Sequence, residues 1–167
     1  MSAAGTRAVE LVRRAGVVHR VHTYGPPERH GRDREARPAY GLDAAEALGV
    51  AAERIFKTLV ATIDGGLVLA VVPVNRELDP KRLAESLGGR RADLAEPAIA
   101  ARATGYVIGG ISPLGPRRPL PVVVDDTSSQ QTTIFVSAGR RGLQLELAPA
   151  DLVGLTGAIV APITRRP

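Results

Sequence analysis

The apolar positions in the first third of the chain follow the period of a helix in some stretches and that of a strand in others. Residues 6–16 carry apolar side chains at the i, i+3, i+4, i+7 spacing of an amphipathic helix, and Gly16 is a typical stop. Residues 17–24 have the composition of a strand, and residues 42–48 predict a second short helix that ends at Gly49. This part of the chain therefore predicts a mixture of helix and strand.

The most apolar part of the chain predicts a β-hairpin. Residues 55–63 and 67–74 are aliphatic and rich in β-branched side chains, and Asp64-Gly65-Gly66 between them suits a tight turn. Because polar residues rarely interrupt these runs, we expect strands that are buried on both faces.

The second half of the chain continues the mixture. Asp79 is a typical N-cap, Pro80 fits the first helical position, and Gly88-Gly89 ends that helix. Residues 93–102 predict one or two further helical turns, with Pro97 near their start. The elements predicted after them are strands at 121–125, 132–137 and 143–147, a polar loop at 126–131, a helix at 149–155 and a last strand at 158–163. About six or seven strands with four or five helices indicate the α+β class.

Composition limits the architecture and the partners. The 167 residues fit one domain, 1–167, and because 44% of them are hydrophobic but only 3% aromatic, aliphatic side chains must fill the core. The formal charge of +5 is compatible with a polyanionic partner, although the basic residues are scattered. The absence of cysteine excludes disulfides and a thiolate nucleophile, and it fits a cytoplasmic protein. No stretch resembles a signal peptide or a membrane span, so we expect no membrane association.

Lys57 interrupts the first arm of the predicted hairpin. Of the 22 basic residues only Lys57 and Lys81 are lysines, so arginine supplies nearly all of the positive charge. A lysine kept within a buried strand is a candidate for a compact, flexible ammonium that a guanidinium cannot replace. A lysine whose ammonium reaches solvent from the end of the strand is an equal alternative. Lys81 stands in the first turn of a helix, where we expect it to be solvated.

Residues 104–115, TGYVIGGISPLG, hold a short β-prone run, Tyr106-Val107-Ile108, between glycines. Glycine lets a ligand approach the backbone closely, and N–H groups in irregular geometry can stabilise an anion. A bulge or corner in a small barrel explains the same composition, and the residues alone favour that interpretation.

Motifs of several common catalytic centres are missing. The chain has no G-x-S-x-G motif, no Walker A loop and no Ser-His-Asp set that spacing reveals. His19 and His22 are three residues apart in a predicted strand and face opposite sides, which argues against a shared metal site. We expect neither a metal nor a cofactor, and an enzyme with these residues would act by positioning and electrostatics.

Six segments, in order along the chain, resemble one known family. They are HTY at 22–24, IFKTLV at 55–60, VVPV at 71–74, LDPKRLAESLGG at 78–89, TGYVIGGISPLG at 104–115 and SAGRRGLQLEL at 137–147. They resemble the YbaK/EbsC family of bacterial aminoacyl-tRNA deacylases, which is related to the editing domain of prolyl-tRNA synthetase. The similarity is greatest to the Cys-tRNA(Pro) deacylases, because ISPLG is followed by basic residues and LP. It implies a small mixed β-barrel-like sheet surrounded by helices.

The resemblance also implies roles for particular residues. Lys57 matches the family's essential lysine and would orient the 3′-terminal aminoacyl-adenosine or stabilise its charge. Gly109, with Gly110 beside it, matches the glycine whose backbone lines the reaction centre. Tyr24 matches a tyrosine that packs against the substrate, with an ordinary strand-end tyrosine as the alternative. Ser137 matches a serine of the pocket.

Further contacts follow from the same resemblance. Thr58 and Ser112 are additional pocket candidates. Arginines at two turns and in the loop at 25–38 would contact tRNA phosphates, unless they are simply solvated. They are Arg117, Arg118, Arg140 and Arg141 at the turns, and Arg29, Arg32, Arg34 and Arg37 in the loop.

The implied substrate is Cys-tRNA(Pro), with Cys-tRNA(Cys) as a further one. In the mechanism proposed for the family, the substrate's own thiol attacks its ester carbonyl and leaves as a thiolactone. The implied partners are the tRNA acceptor end and, transiently, prolyl-tRNA synthetase, and the chain would be a monomer or a weak dimer. Two alternatives stay open. One is deacylation of Ala-tRNA(Pro) or another small mischarged aminoacyl-tRNA, and the other is a non-catalytic module that binds tRNA or a synthetase.

Two positions depart from the family pattern. Gln144 stands where the family frequently has an aspartate, and Ala138 replaces a glycine. If that carboxylate matters for the substrate amino group or for a proton, Gln144 would alter activity or specificity.

Overall fold

The computed structural model describes residues 5–25 and 40–165, which form two β-sheets with helices packed around them. The helices are α1 (Arg7–Ala15), α2 (Tyr40–Leu48), α3 (Pro80–Ser86), α4 (Pro97–Thr104) and α5 (Pro149–Thr156), with 3₁₀ turns at Ala52–Arg54 and Asp126–Gln130. The strands are β1 (His19–Thr23), β2 (Phe56–Ile63), β3 (Gly66–Pro73), β4 (Ala92–Leu94), β5 (Val122–Asp125), β6 (Ile134–Arg140), β7 (Leu143–Leu147) and β8 (Ile159–Ala161). The α+β prediction is confirmed.

The larger sheet is built on the predicted hairpin. Its strand order is β4-β2-β3-β5-β8, with β2 antiparallel to β3 and the pairs β3-β5 and β5-β8 parallel. Ile63 pairs with Gly66, and the two residues between them, Asp64 and Gly65, have φ of 49° and 88°. Two positive φ values are what a type I′ hairpin turn requires. β3 lies inside the sheet and is buried along most of its length, as its continuous apolar run predicts.

The smaller sheet has the order β1-β7-β6 and is antiparallel throughout. Its inner face and the inner face of the larger sheet enclose the main apolar core together with α1 and part of α5. A second apolar cluster lies between the other face of the larger sheet and α3, and a third lies beneath α2. Aliphatic side chains fill nearly all of this volume, as the composition predicts.

Helix α1 begins where the sequence predicts and is tied directly to the smaller sheet. The Thr6 Oγ1 accepts a hydrogen bond from Val9 N at 3.2 Å, which is an N-cap, and donates one to Ala138 O at 2.6 Å. Gly16 ends the helix in the left-handed region, with φ of 67°. Helix α3 is likewise capped by the Asp79 carboxylate, with Pro80 at its first position.

Three local details differ from the sequence predictions. Residues 92–94 form the edge strand β4, and the helical turns predicted within 93–102 begin at Pro97, near the start that the sequence indicated. The β-prone run at 106–108 is irregular and forms no strand. Strand β6 continues to Arg140 through a bulge after Ser137, where we expected a turn to begin. The described part of the chain therefore has eight strands, against the six or seven expected. None of the helices in this part is long and apolar enough to cross a membrane.

Candidate functional site

The site begins where the two sheets meet. Ile55, just before β2, bridges Phe135 of β6 in parallel. Two residues further along each chain come Lys57 and Ser137, on the same side of their strands as Ile55 and Phe135, because side chains alternate with a period of two. The predicted lysine and serine therefore share one face at the junction of the sheets.

The same face continues across the smaller sheet. Ser137 pairs with Gln144 of β7, and Gln144 pairs with His22 of β1. Residues directly opposite one another in an antiparallel sheet carry their side chains on the same side. Lys57, Ser137, Gln144 and His22 therefore form a row of polar side chains, which we call the polar row.

Lys57 is half-buried in this row. It pairs with the buried Val72, whose side chain lies on the same side of the sheet, so the Lys57 stem has an apolar neighbour across the hairpin. Its ammonium makes no hydrogen bond or ion pair with any residue in the ranges 5–25 and 40–165. A partly desolvated cation without an anionic partner is available to a ligand that carries negative charge.

The glycine segment packs against the end of the polar row. The Ser137 Oγ donates a hydrogen bond to Gly110 O at 3.0 Å and accepts one from Gly139 N at 3.1 Å. The Arg141 Nε donates to Ile108 O at 2.9 Å. The structure therefore brings together three regions that the sequence singled out: the glycine segment, Ser137 and the β6–β7 turn.

Gly110 allows this approach because it has no side chain. A Cβ on Gly110 would lie 2.9 Å from Arg141 N and 3.0 Å from the Arg140 Cα and carbonyl carbon. Contacts that short with backbone atoms are not tolerated without movement of one segment. Gly110 therefore serves a close approach of the chain's own β6–β7 turn, whereas the sequence analysis considered a close approach of a ligand.

The two glycine amides differ in availability. Gly110 N donates to Val107 O at 2.9 Å and so closes a tight turn, in which Gly109 has φ of 89°. We expected both amides to face the reaction centre, and this bond engages the one at Gly110. Gly109 is partly exposed, and its N–H has no acceptor in the part of the chain that the structure describes. Of the two glycine amides, Gly109 N–H is therefore the one that is available to a ligand.

Arg7 anchors both ends of the glycine segment, a role that nothing in the sequence indicates beyond its position at the start of a helix. Its Nη2 donates to Thr104 O at 2.8 Å and its Nε donates to Gly115 O at 2.9 Å. Its guanidinium lies 4.9 Å from the centre of the Tyr106 ring, and the Tyr106 hydroxyl donates to Leu114 O at 2.6 Å. Burial raises the pKa of this hydroxyl, an effect that the charge of Arg7 only partly offsets.

A second polar cluster adjoins the row at His22. The His22 Nε2 lies 2.9 Å from one oxygen of Glu146, and Thr133 Oγ1 donates to the other at 2.6 Å, with Arg54 Nη2 at 3.3 Å. Burial raises the pKa of Glu146, but the hydrogen bonds from Thr133 and His22 and the charges of His22 and Arg54 outweigh it and hold the pKa below its usual range. Arg54 also lies over the Phe135 ring, 5.1 Å from its centre. The Glu146 carboxylate is thus already engaged.

Tyr24, which follows strand β1, lies beside the β6–β7 turn. Its N donates to Gly142 O at 3.0 Å, and its ring packs on the apolar cluster that contains Ile55 and Phe135. Since Ile55 and Phe135 lie on the face of the polar row, Tyr24 borders that row.

Thr58 and Ser112 lie elsewhere. Thr58 is on the opposite face of β2 from Lys57, in line with Phe56 and Val60 of the main core, and its buried Oγ1 has no hydrogen-bond partner among the described residues. Ser112 is fully buried, and its Oγ accepts a hydrogen bond from Leu114 N at 3.2 Å. The structure does not bring these two side chains into the polar row.

The four turn arginines are all exposed, at the two turns where the sequence predicts them. Arg117 and Arg118 follow the glycine segment, and Arg140 and Arg141 form the β6–β7 turn. The arginines of the loop at 25–38 lie outside the described residues. No group of three or more His, Asp or Glu residues that could hold a metal ion occurs within the described ranges.

Comparisons with known proteins bear on the family to which this chain belongs. A family model described as the aminoacyl-tRNA editing domain matches residues 38–155. A protein of Enterococcus faecalis, provisionally named Cys-tRNA(Pro)/Cys-tRNA(Cys) deacylase EbsC, is 42% identical over 123 residues, which are 73% of this chain and 75% of that protein. A proline–tRNA ligase of Moorella thermoacetica is 34% identical across 59% of this chain, but that match covers only 17% of the ligase.

A solved structure extends the comparison to the whole fold. It is described, also provisionally, as a trans-editing enzyme for prolyl-tRNA synthetase, and it is similar to this chain with a TM-score of 0.81 and 26% identity across 99% of both chains. The family model alone spans well over half of the sequence. The chain therefore belongs to the aminoacyl-tRNA editing domain family.

Proposed function

We propose that this chain, as an editing domain, removes cysteine from mischarged Cys-tRNA(Pro) and acts in trans. The observation that carries the proposal is Lys57, a half-buried cation with no partner among the described residues, on the face that also carries Ser137 and ends at the glycine turn. The names of the related proteins, a Cys-tRNA(Pro)/Cys-tRNA(Cys) deacylase and a trans-editing enzyme, support the same substrate class.

The proposed chemistry needs no nucleophile from the protein, which has no cysteine. The substrate thiol attacks the ester carbonyl carbon, the bond to the 3′-oxygen breaks, and that oxygen takes up the proton that the thiol loses. Lys57 orients the terminal aminoacyl-adenosine and offsets its negative charge. Holding the thiol close to the carbonyl contributes several kcal/mol, up to ~7–11. One backbone donor to the carbonyl oxygen contributes roughly 3 kcal/mol, and Gly109 N–H is available for that role.

Partners follow from the same proposal. The acceptor end of tRNA carries the substrate, and the exposed arginines at the two turns contact its phosphates. Prolyl-tRNA synthetase would associate only transiently, as the source of the mischarged tRNA.

A deacylation assay tests the proposal and separates it from its alternatives. The chain is incubated with tRNA(Pro) charged with cysteine or with alanine, and release of each amino acid is followed beside a Lys57→Ala control. Rapid release of cysteine, slow release of alanine and loss of both in the control are expected. Faster release of alanine would assign the chain to the other small mischarged aminoacyl-tRNAs, and tRNA binding without any release would make it a binding module.

A further inference from the structure

Gln144 carries an unsatisfied polar atom at the centre of the polar row. It is 8% exposed, and its Oε1 is buried with no hydrogen-bond partner among the described residues. Its neighbours across the sheet are Ser137 on one side and His22 on the other. A buried carbonyl oxygen without a donor is uncommon in a folded protein, and in a binding face it indicates a donor that a ligand supplies.

The charges around Gln144 determine which donor fits. Lys57 contributes a positive charge from β2, and Arg54 contributes another from the 3₁₀ turn beneath the sheet. The only carboxylate of the described residues beside the row is Glu146, which is engaged by His22, Thr133 and Arg54. His22, on β1, adds positive charge whenever it is protonated. An ammonium group on this face would therefore find no unpaired carboxylate among the described residues. It would be repelled by at least one cation.

We propose that Gln144 Oε1 accepts a hydrogen bond from the α-nitrogen of the aminoacyl group, and that the site therefore selects substrates in which this nitrogen is uncharged. This inference rests on the proposed function, since it concerns the substrate of the same site. A neutral amine donates N–H to an amide oxygen without bringing a second positive charge next to Lys57. A charged ammonium could also donate to the amide oxygen, but it would add a second positive charge to a face whose described carboxylate, Glu146, is already engaged.

Binding of a pair of non-hydrolysable ligands tests this directly. The first is a cysteinyl-adenosine in which an amide replaces the 3′-ester, and the second is its counterpart with a hydroxyl in place of the α-amino group. Both carry the same thiol, so the ratio of their dissociation constants cancels the effects of thiol ionisation. An α-amino group loses its proton near pH 7.7, so the relative affinity for the amino ligand is expected to rise about tenfold or more from pH 6 to pH 8.5.

Two variants test whether this pH dependence comes from Gln144. In Gln144→Glu the carboxylate pairs with the ammonium, so the amino ligand is expected to bind relatively better at pH 6 than at pH 8.5. In His22→Gln, with Gln144 retained, the rise with pH is expected to persist, because the neutral amide still selects the neutral amine. A rise that disappears in His22→Gln, or a ratio that is independent of pH in the unmodified protein, would overturn the proposal. Circular dichroism of each variant verifies that it folds.

The same experiment separates this inference from the proposed function. If the expected binding ratio is found but Cys-tRNA(Pro) is not deacylated, the selection by Gln144 stands and the proposed activity fails. If deacylation occurs but the ratio does not change with pH, the activity stands and the role of Gln144 fails. If neither ligand binds at any pH, the role of Gln144 fails, and the proposed activity is decided by the deacylation assay alone.

Discussion

At the scale of the residue, Lys57 differs from an ordinary surface cation in how it is enclosed. Its backbone pairs with Val72 inside the larger sheet, its neighbour Phe56 is buried, and it contacts no carboxylate in the described ranges. Lys81, by contrast, is exposed in the first turn of α3, as the sequence predicted. The two lysines of the chain therefore form a natural pair for comparison.

Replacing Lys57 by alanine is expected to lower the rate of deacylation by about 100-fold or more, the scale of losing one preorganised electrostatic contact. Lys57→Arg is expected not to restore it, because a planar guanidinium does not fit where a compact ammonium does. Lys81→Ala serves as the matched control and should retain full activity. Single-turnover rates measure the effect, and equal rates in all four proteins would contradict the role of Lys57.

Glu146 gives a pH-dependent contribution to stability. Its folded-state pKa is held below the usual range, so the carboxylate stabilises the fold above the pKa of an unfolded glutamate, about 4.3, and this contribution is lost as the pH falls through the lower, folded value. Glu146→Gln is expected to lower the free energy of unfolding by about 1–2 kcal/mol at pH 7. The variant should also lose less stability than the unmodified protein when the pH is lowered.

The control for this experiment is Glu77→Gln. Glu77 is exposed and lies 3.6 Å from Arg165, a surface pair that contributes at most about 1 kcal/mol. Urea unfolding at several pH values between pH 3 and pH 7 compares the two variants. If Glu146→Gln loses as much stability between pH 7 and pH 3 as the unmodified protein, the network around this carboxylate does not stabilise the fold.

At the scale of the element, the glycine segment is held by other elements and not by its own regular structure. Arg7 of α1 binds the carbonyls at both of its ends, and Ser137 and Arg141 bind carbonyls within its turn. These contacts and the tight turn at Gly109 satisfy several of the segment's backbone groups. They replace the ladder hydrogen bonds that a strand would make, so the segment forms no strand.

Gly110→Ala is expected to destabilise the protein by about 1–3 kcal/mol and to lower activity more than stability accounts for, because the added Cβ pushes the β6–β7 turn away. Gly154→Ala, within helix α5, is the matched control, since a Cβ there meets nothing within 4 Å. It should raise stability by up to about 1 kcal/mol. Thermal unfolding and deacylation rates measure both. A Gly110→Ala variant as stable and active as the unmodified protein would disprove the close approach.

Elements with strong local signals could be predicted from the sequence, and those that depend on distant partners could not. The β2–β3 hairpin follows from its apolar arms and a turn that requires positive φ at Asp64 and Gly65, and α3 follows from its Asp79 cap. Strand β4 is three residues long and exists only because β2 has a free edge beside it. Periodicity cannot reveal such a strand.

The site shows the same division. Lys57 and Gly109 were predicted as site residues from the unusual composition around each of them and from the family resemblance. The bonds of Arg7 to the glycine segment, 97 and 108 residues away, leave no local signal in either stretch. Gln144 was noted as a departure from the family, but only the sheet register shows that its carbonyl oxygen is buried beside Ser137 without a donor.

At the scale of the whole molecule, the exposed arginines at the two turns are expected to contact tRNA. Affinity is expected to fall as salt rises, with a slope of about −0.7 to −0.9 for each phosphate contacted, so four arginines give a slope near −3. Replacing Arg117 and Arg118 by serine should reduce the slope by about half. The equally charged pair Arg13 and Arg14, exposed in the last turn of α1, provides the control.

Filter binding at several salt concentrations measures these slopes. Changing the anticodon of the tRNA is expected to have little effect, because a domain of this size reaches only the acceptor end. Salt-independent binding, or a strong loss of affinity with a changed anticodon, would contradict this placement of the tRNA.

The nucleophile of the proposed reaction comes from the substrate and not from the protein. Because the chain has no cysteine, the attacking group is expected to be the thiol of the substrate. Serine has nearly the same shape as cysteine, so Ser-tRNA(Pro) should bind with similar affinity. Its release should be at least about a hundredfold slower, since a neutral hydroxyl is a much weaker nucleophile than a partly ionised thiol.

The expected first product is a cysteine thiolactone, which then hydrolyses in solution. Closing its four-membered ring is strained, so the site must hold the thiol against the carbonyl carbon while the carbonyl oxygen lies near Gly109 N–H. Mass spectrometry of the early reaction should detect this species. The decisive control is run in oxygen-18 water beside an added thiolactone standard. If the label enters the released cysteine while the standard is still intact, water attacks the ester directly, and the thiol does not provide the nucleophile.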